Sequence, residues 1–409
     1  MIATVSGRTL KGTVAVPASK SAVHRLLICA ALSDRPTVIE GVTLSEDSIA
    51  TARCLKALGA HIDGGEGTLA VTPIKNVTAN ARLDCGESGS TLRFLLPIVA
   101  ALGGASFTGR GRLAERPLSP LYELLAENGC TLSPQGTFPL TVDGRLFGTR
   151  WTIEGGVSSQ FISGLLLAAP LMETTVEVCV TGKIESRPYI DLTIDAMRRF
   201  GVTVTENNAT FCVSGAYRSA GRIAAEGDWS NAAFWLVAQA LLPDAALTVT
   251  GLDPRSLQGD RAIATLIRDT NGLTIPLDVD AAQMPDLVPI LAVLAAAIPG
   301  RSVIGNARRL RLKESDRLES VGAMLRALGG RVTVGEDSLT IDGTGCLTGG
   351  TVEACNDHRI AMAAAVAACI ADGDVTINGA QAVRKSYPHF FEQFAERGMT
   401  VCLQYSENG

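Results

Sequence analysis

Aromatic residues are scarce in this 409-residue chain, 5% in all, and charged residues make up only 19%. Few aromatics and a net charge of −5 exclude the basic, ring-studded faces that grip nucleic acid. One basic run stands out, Arg308-Arg309-Leu310-Arg311-Leu312-Lys313. No apolar run exceeds about a dozen residues, too short to span a bilayer. Residues 1–12 lack the apolar centre of a signal peptide. The ten cysteines form no C-x-x-C pair and the four histidines no ligand-spaced cluster, so neither a disulfide framework nor a metal site is signalled. The expectation is a cytoplasmic globular protein with no nucleic-acid or membrane partner. Its 46% apolar content and its length suffice for two or three domains with large cores.

What the chain does contain is a repeated layout. After Pro17 comes a cluster of small and cationic residues, Ser19, Lys20, Ser21, His24 and Arg25, and then an uncharged run over 26–32. This predicts a helix with a polar, cationic first turn and a buried remainder. The N–H groups of such a turn, with the helix dipole and nearby cations, suit an anion. The layout recurs five times at a period of about 60–70 residues, which calls for repeat analysis. Gly86-Glu87-Ser88-Gly89-Ser90-Thr91 precedes apolar 92–102, and Val157-Ser158-Ser159-Gln160 precedes 161–172. Glu226-Gly227-Asp228-Trp229-Ser230 precedes 231–242, Gln283-Met284-Pro285-Asp286 precedes 287–298, and Asn356-Asp357-His358-Arg359 precedes 360–370.

Each copy also carries a more amphipathic helix, predicted over 46–58, 118–127, 189–200, 259–268, 313–328 and 388–397. Most end at a glycine (Gly59, Gly129, Gly201, Gly329, Gly398), a left-handed stop. Short strands rich in Val, Thr and Ile follow the stops and precede the first helices, as at 13–16 and 151–154. The unit is therefore strand–helix–strand–helix–strand–strand, six times over. Uncharged helices must be buried all round, so the expected fold is mixed α and β: two pseudo-threefold domains, each of three βαβαββ units with buried parallel helices. Their N-termini would address a common cleft. The expected division is residues 1–18 with 226–409 as a discontinuous domain I, and 19–225 as domain II.

Nine motifs, in order, carry a resemblance over essentially the whole chain. They are Ser19-Lys20-Ser21 with His24-Arg25, the stretch 86–93, Glu115-Arg116-Pro117, Ser158-Ser159-Gln160, Ser186-Arg187-Pro188-Tyr189 and Pro285-Asp286. The series closes with Arg311-Leu312-Lys313-Glu314-Ser315-Asp316-Arg317, Asn356-Asp357-His358-Arg359 and Lys385-Ser386-Tyr387-Pro388. In these the chain resembles the 5-enolpyruvylshikimate-3-phosphate synthase family. The resemblance implies the enolpyruvyl transferase fold, two such domains closing over the substrates. It also implies a carboxyvinyl transfer from phosphoenolpyruvate to the 5-hydroxyl of shikimate 3-phosphate, through a tetrahedral intermediate that eliminates phosphate. It implies no metal or organic cofactor, a monomer, and a place in aromatic amino-acid biosynthesis as the target of glyphosate.

By resemblance, Lys20, Ser21, Arg25, Ser158, Ser159, Gln160, Ser186, Asp286, Arg309 and Lys313 contact shikimate 3-phosphate. Lys20, Gly89, Arg116, Gln160, Arg317, Arg359 and Lys385 contact phosphoenolpyruvate. Asp286 accepts the 5-hydroxyl proton and Glu314 handles protonation at the methylene carbon, with Lys20 a competitor for one proton transfer. Domain I is the phosphoenolpyruvate side and domain II the shikimate 3-phosphate side. Two substrates with two phosphates and two carboxylates need several cations, and arginine forks suit both groups.

The chain departs from the commoner family pattern at Glu87, Ser90, Phe94 and Arg309. An acid at position 87 would face away from an anion or pair with an arginine. Plainer readings exist for single residues: Asp286 as a first-turn carboxylate favoured by the helix dipole, Glu314 as an i,i+3 partner of Arg317 on an exposed helix, and His358 as a group that orients its neighbours. The sibling enzyme acting on UDP-N-acetylglucosamine usually carries a reactive cysteine before its Arg-Pro pair, and 107–117 has none. RNA 3′-phosphate cyclase would need a nucleotide-linked histidine and a basic face. A non-enzymatic repeat scaffold would not need charged residues at so many helix starts.

Overall fold

A computed structural model describes residues 1–405. The chain divides into two compact units, Met1–Pro17 with Gly227–Gly409, and Ala18–Glu226. Each unit has its own continuous apolar core. No described helix is long and apolar enough to cross a membrane.

The unit Ala18–Glu226 is built on three four-stranded sheets. In the simplest copy, Arg82–Asp84 pairs in parallel with Gly104–Thr108, and helix Gly89–Leu102 makes the crossover between them. Leu140–Gly144 and Cys130–Leu132 complete that sheet antiparallel. The copy from Arg150–Glu154 to Thr210–Ser214 repeats this order around helix Ser159–Ala168. The copy around helix Lys20–Ala31 takes its first strand from the far end of the unit, where Arg222–Ala224 pairs in parallel with Thr37–Val42.

The strand just before the first helix in the chain takes no part in this sheet. Lys11–Ala15 does precede Lys20–Ala31 in sequence, yet it pairs in parallel with Ala246–Thr250 in the other unit's fold. Ile2–Ser6 likewise lies antiparallel between Val375–Asn378 and Thr400–Gln404, with Ala3 and Val5 turned into the core.

A correction concerns the fourth copy. Five copies have a four-stranded sheet, but Lys11–Ala15 and Ala246–Thr250 form only a two-stranded one. After helix Ile263–Asp269 the chain runs directly into Asp278–Asp280. Residues 270–277 are too few for a hairpin of two strands. They turn instead through positive φ at Asn271, Gly272 and Leu273.

The apolar helices lie where an uncharged surface requires them. All nine residues of Val288–Ala296 are buried, packed with Trp229–Leu241 and His358–Ala367. In the other unit Gly89–Leu102 packs on Ser159–Ala168, while Lys20–Ala31 packs on the amphipathic helices Glu46–Leu58 and Arg187–Arg199. Five of the six apolar helices start at a side-chain cap: Ser19, Ser88, Ser158, Asp228 and Asp357 each accept from a first-turn N–H. Such a cap contributes about 1 kcal/mol. The amphipathic Glu46–Leu58 ends at Gly59, whose φ of 116° suits a residue without a β-carbon. The amphipathic helix of the fifth copy is shorter than expected, Arg317–Ala327, so Lys313 and Glu314 lie in the turn before it.

One helix contact sets the tolerance of the Ala18–Glu226 core. Pro97 sits inside Gly89–Leu102 and has no N–H, so the Arg93 carbonyl lacks its helical donor. Gly164 of the facing helix approaches that carbonyl so closely that a β-carbon there would lie 2.5 Å from it and 3.1 Å from Pro97 Cγ. Neither the carbonyl nor the proline ring can swing aside as a flexible side chain would. Gly164→Ala should therefore destabilise the protein by about 1–3 kcal/mol, read as a lowered urea midpoint. An unchanged midpoint would show that the two helices separate freely.

Candidate functional site

In the Ala18–Glu226 unit, the starts of three apolar helices carry the candidate residues. Lys20 lies in the first turn of Lys20–Ala31, its Nζ 3.0 Å from Asp47 Oδ2, and both side chains keep 14% of their surface. Arg25, one turn on, is buried. Its Nε donates to Thr193 Oγ1 at 2.7 Å, Nη1 to the Ser21 carbonyl at 2.7 Å and Nη2 to the Tyr189 carbonyl at 2.8 Å. Three of the five guanidinium N–H bonds are thus used. Burial pushes its pKa down to about 10.

Phe94 and His24 account for how Arg25 is held. The Phe94 ring turns inward beneath the Arg25 guanidinium at 4.9 Å. It also meets the His24 ring edge-on at 6.3 Å. Burial pushes His24 down to about 3, so its ring is neutral. Its Nδ1 lies 2.6 Å from Thr51 Oγ1, Thr51 lies 2.7 Å from Thr91 Oγ1, and Thr91 donates to Ser88 Oγ at 2.8 Å. This row of hydroxyls ties the first turns of two apolar helices to Glu46–Leu58 between them.

Gln160 begins the third helix. Its Oε1 accepts from Arg93 Nη1 at 2.9 Å and its Nε2 donates to Ser90 Oγ at 2.8 Å, which fixes the amide's orientation. Arg93 is itself anchored on the Pro117 carbonyl at 2.9 Å. Ser158 caps the helix and Ser159 is buried beside it. Ser186 is buried with φ 53°. That conformation costs a residue with a β-carbon about 1–2 kcal/mol. Gly89 opens its helix against Arg116, and a β-carbon on it would lie 2.5 Å from Arg116 Nη1. Arg116 Nε is buried with no hydrogen-bond partner among the described residues. Glu87 lies along Gly111, in the loop that leads to Arg116.

The unit Met1–Pro17 with Gly227–Gly409 holds a denser cluster. Arg317 is only 1% exposed, and its three nitrogens each reach a different carboxylate. Nε donates to Asp357 Oδ2 at 2.7 Å, Nη1 to Asp286 Oδ1 at 2.8 Å and Nη2 to Glu314 Oε2 at 2.6 Å. Arg359 donates to Asp286 Oδ2 at 2.9 Å through Nη2, and to Ser230 Oγ at 2.6 Å and the Asp286 carbonyl at 3.2 Å through Nη1. Lys313 Nζ stands 3.6 Å from Asp286 Oδ1. Asp286 thus meets three cations in the turn that opens Val288–Ala296. Lys385 is buried and donates to the Asn356 carbonyl at 2.7 Å. Arg309 lies half-buried in the turn Arg308–Leu312 just before Lys313.

Loss of water around its charge pushes Lys313 down to about 8, although the side chain keeps 23% of its surface. The Asp286 carboxylate opposes this shift and the Arg317 charge adds to it. Glu314 does pair with Arg317 three residues on, but from the turn before the helix, against a buried partner rather than an exposed one. Arg311 takes no part: it turns to Asp316 at 2.8 Å and to the Gly335 and Glu336 carbonyls.

Four of these partners escape a reading of the sequence. Asp47, which pairs with Lys20, lies in the first turn of an amphipathic helix, where acids are ordinary. Ser230 looks like one more cap-region serine. Asp357 stands in a quoted motif but reads as a cap, which it also is. Arg93 does leave a signal, a lone arginine within an otherwise uncharged helix.

Each unit thus gathers cations, hydroxyls and oriented N–H groups at the starts of buried helices, and one adds two carboxylates able to exchange protons. This is the equipment of a transferase acting on anionic substrates. The model of the EPSP synthase (3-phosphoshikimate 1-carboxyvinyltransferase) family matches residues 5–394. The 3-phosphoshikimate 1-carboxyvinyltransferase of Clostridium kluyveri is 41% identical over 409 residues, covering 95% of each chain. That of Clostridium acetobutylicum is 41% identical over 414 residues, covering 96% of each. Among solved structures, EPSP synthase from Acinetobacter baumannii superposes with a TM-score of 0.81 at 24% identity, covering 98% of this chain and 100% of that one. The enolpyruvyl transferase NikO from Streptomyces tendae has a TM-score of 0.76 at 19% identity, covering 99% of each. At these identities the two structures speak to the fold alone. The chain belongs to the EPSP synthase family.

The Arg317 cluster is buried and its charges are matched, so its partners should not be separable. Removing Asp357 leaves the guanidinium short of a carboxylate and deprives Arg359 N of its cap. Asp357→Ala should cost about 3–5 kcal/mol of stability, measured by urea unfolding. A loss below about 1 kcal/mol, the worth of an exposed pair, would mean the cluster is solvated.

Proposed function

We propose that this enzyme transfers the carboxyvinyl group of phosphoenolpyruvate to the 5-hydroxyl of shikimate 3-phosphate, releasing phosphate, with the residues described above in the following roles. The observation that carries the reading is Asp286, a carboxylate held from three directions by Arg317, Arg359 and Lys313. Held so, it is oriented to accept the 5-hydroxyl proton as that oxygen attacks C2 of phosphoenolpyruvate. Glu314, fixed by the same Arg317, handles the proton at the methylene carbon, and Lys20 serves the second proton transfer or steadies charge there. Arg317 acts first as the strut that sets both carboxylates.

The Ala18–Glu226 unit takes the shikimate 3-phosphate side, with Ser158, Ser159, Gln160 and Ser186 around the ring and phosphate, and Lys20, Ser21 and Arg25 adding charge. Asp286, Arg309 and Lys313 belong to the same substrate. Arg359 and Lys385 take the phosphoenolpyruvate anion, together with Arg116, Gly89 and Gln160. The buried, unpartnered Arg116 Nε supports that role. The ten free thiols support a reducing cytoplasm.

Phosphate release from phosphoenolpyruvate, assayed with shikimate 3-phosphate and separately with UDP-N-acetylglucosamine, tests the reaction. Turnover with the first acceptor and none with the second is expected. Asp286→Ala should lower kcat by about 10²–10⁴-fold, the usual worth of a general base, with substrate affinity less affected. Near-normal turnover in that variant would remove its base role.

Lys313 gives a pH dependence with a definite sign. It is an ammonium below about 8 and an amine above. A phosphate ester prefers the ammonium, so its binding raises the pKa of Lys313. Affinity for shikimate 3-phosphate should fall as pH rises through 8, and binding just above that pH should take up a proton. Calorimetry in buffers of different ionisation enthalpy measures the uptake. Lys313→Arg, charged throughout, should abolish it, and uptake that persists would place the titration elsewhere.

A further inference from the structure

Arg25 is a buried cation that no carboxylate neutralises among the described residues. Only 2% of its surface is exposed, and its hydrogen bonds all end on neutral oxygens, Thr193 Oγ1 and the carbonyls of Ser21 and Tyr189. Taking a guanidinium out of water is unfavourable unless something offsets its charge. Burial lowers its pKa to about 10, which still leaves it charged at neutral pH. Arg317 in the other unit solves the same problem with three acids. Arg25 solves it with oxygens and a ring.

The ring is Phe94, from the second turn of Gly89–Leu102. Arg25 Cζ lies 4.9 Å from its centroid, within the roughly 6 Å over which the face of a ring attracts a cation. Phe94 is itself only 1% exposed, so water does not weaken the attraction. The ring is held in turn by His24, which meets it edge-on with 82° between the planes and is anchored on Thr51 Oγ1 at 2.6 Å. A ring and a carboxylate would serve a ligand differently at this place. A carboxylate would cancel the charge and take up a pair of N–H groups in a bidentate fork. The ring attracts the cation through its face and leaves the N–H groups not bound to Thr193, Ser21 and Tyr189 for another acceptor.

We propose that Phe94 is a positioning residue for shikimate 3-phosphate: its ring face holds the Arg25 guanidinium in place without neutralising it, so that an anionic group of the substrate completes the charge. This rests on the reading of Arg25 as a shikimate 3-phosphate contact. The effect of Phe94 passes through Arg25 and through the electron density of its ring, not through its bulk alone.

Replacing Phe94 with phenylalanines carrying one, two and three ring fluorines tests it, beside Phe94→Leu and Arg25→Gln. Fluorine draws electron density from the ring face while nearly keeping the ring's size, so the attraction weakens stepwise and the packing is little changed. Calorimetry gives Kd for shikimate 3-phosphate, and steady-state kinetics give KM for phosphoenolpyruvate. The Kd should rise with each fluorine to a total of about two- to thirtyfold, with KM for phosphoenolpyruvate unchanged. Phe94→Leu should lose at least as much, and in an Arg25→Gln background the fluorines should have no further effect. If Arg25→Gln raises the Kd and fluorination leaves it flat, the Phe94 proposal falls and the role of Arg25 stands. If Arg25→Gln leaves the Kd unchanged, the reading of Arg25 falls and takes the proposal with it. A loss seen only with Phe94→Leu, one that persists without Arg25, or equal losses for both substrates would make Phe94 a packing residue and overturn the proposal. Should Phe94→Leu fail to fold, or Arg25→Gln bind too weakly to measure, the fluorine series decides alone.

Discussion

A helix without charge has to be buried along its length, and only its ends are left to meet water or a ligand. Six helices that carry no charge beyond their first two turns, three in each unit, impose that constraint here. It accounts for the amphipathic helices and small sheets that cover them, and for the concentration of serine, aspartate, lysine and arginine at their starts. The polar groups a buried helix cannot carry along its sides are gathered at its first turn. There, unsatisfied N–H groups and the dipole already favour negative charge. The chemistry of the family is built at those turns because no other part of these helices could hold it.

The two units solve the resulting electrostatic problem differently. Around Lys20–Ala31 and Gly89–Leu102 the cations rest mainly on neutral oxygens: Arg25 on a hydroxyl and two carbonyls, Arg93 on Gln160 and a carbonyl. Arg25, held by neutral oxygens, keeps its positive charge, while Lys20 is paired with Asp47. Around Val288–Ala296 the cations meet Asp286, Glu314 and Asp357. There charge is balanced within the protein, and a low local dielectric makes each carboxylate's position and proton affinity sensitive to its neighbours. The proposed roles divide in the same way, binding for the first and proton transfer for the second.

The departures from the commoner family pattern have a local explanation in two cases. Phe94 buries its ring beneath Arg25 and against the neutral His24, so it supports the cation from below. Ser90 accepts the Gln160 amide and thereby helps hold a proposed substrate contact. Nothing in the structure explains why arginine stands at position 309.

The repeat, the six apolar helices, their polar starts and most of the candidate residues were legible in the sequence, because each is a local matter. Periodicity, missing charge, cap residues and glycine stops act within a few residues of where they are written. The family motifs added the proposed roles of Asp286, Glu314 and the arginines. What the sequence could not show was partnership across long separations. The sequence put the strand before the first helix with the other unit, but not beside Ala246–Thr250, where Lys11–Ala15 makes its hydrogen bonds. Any β-rich strand can pair with any other, and only the assembled fold chooses between them. The missing hairpin of the fourth copy was hidden too, since the residues after Ile263–Asp269 lack a pattern of their own. The same holds for Asp47, Ser230 and Asp357, ordinary at their places in the chain. The sequence determined which helices must be buried and which residues crowd their starts. Tertiary structure alone decided which acid faces which cation, because a charge finds its partner through space, and the chain records only neighbours along its length.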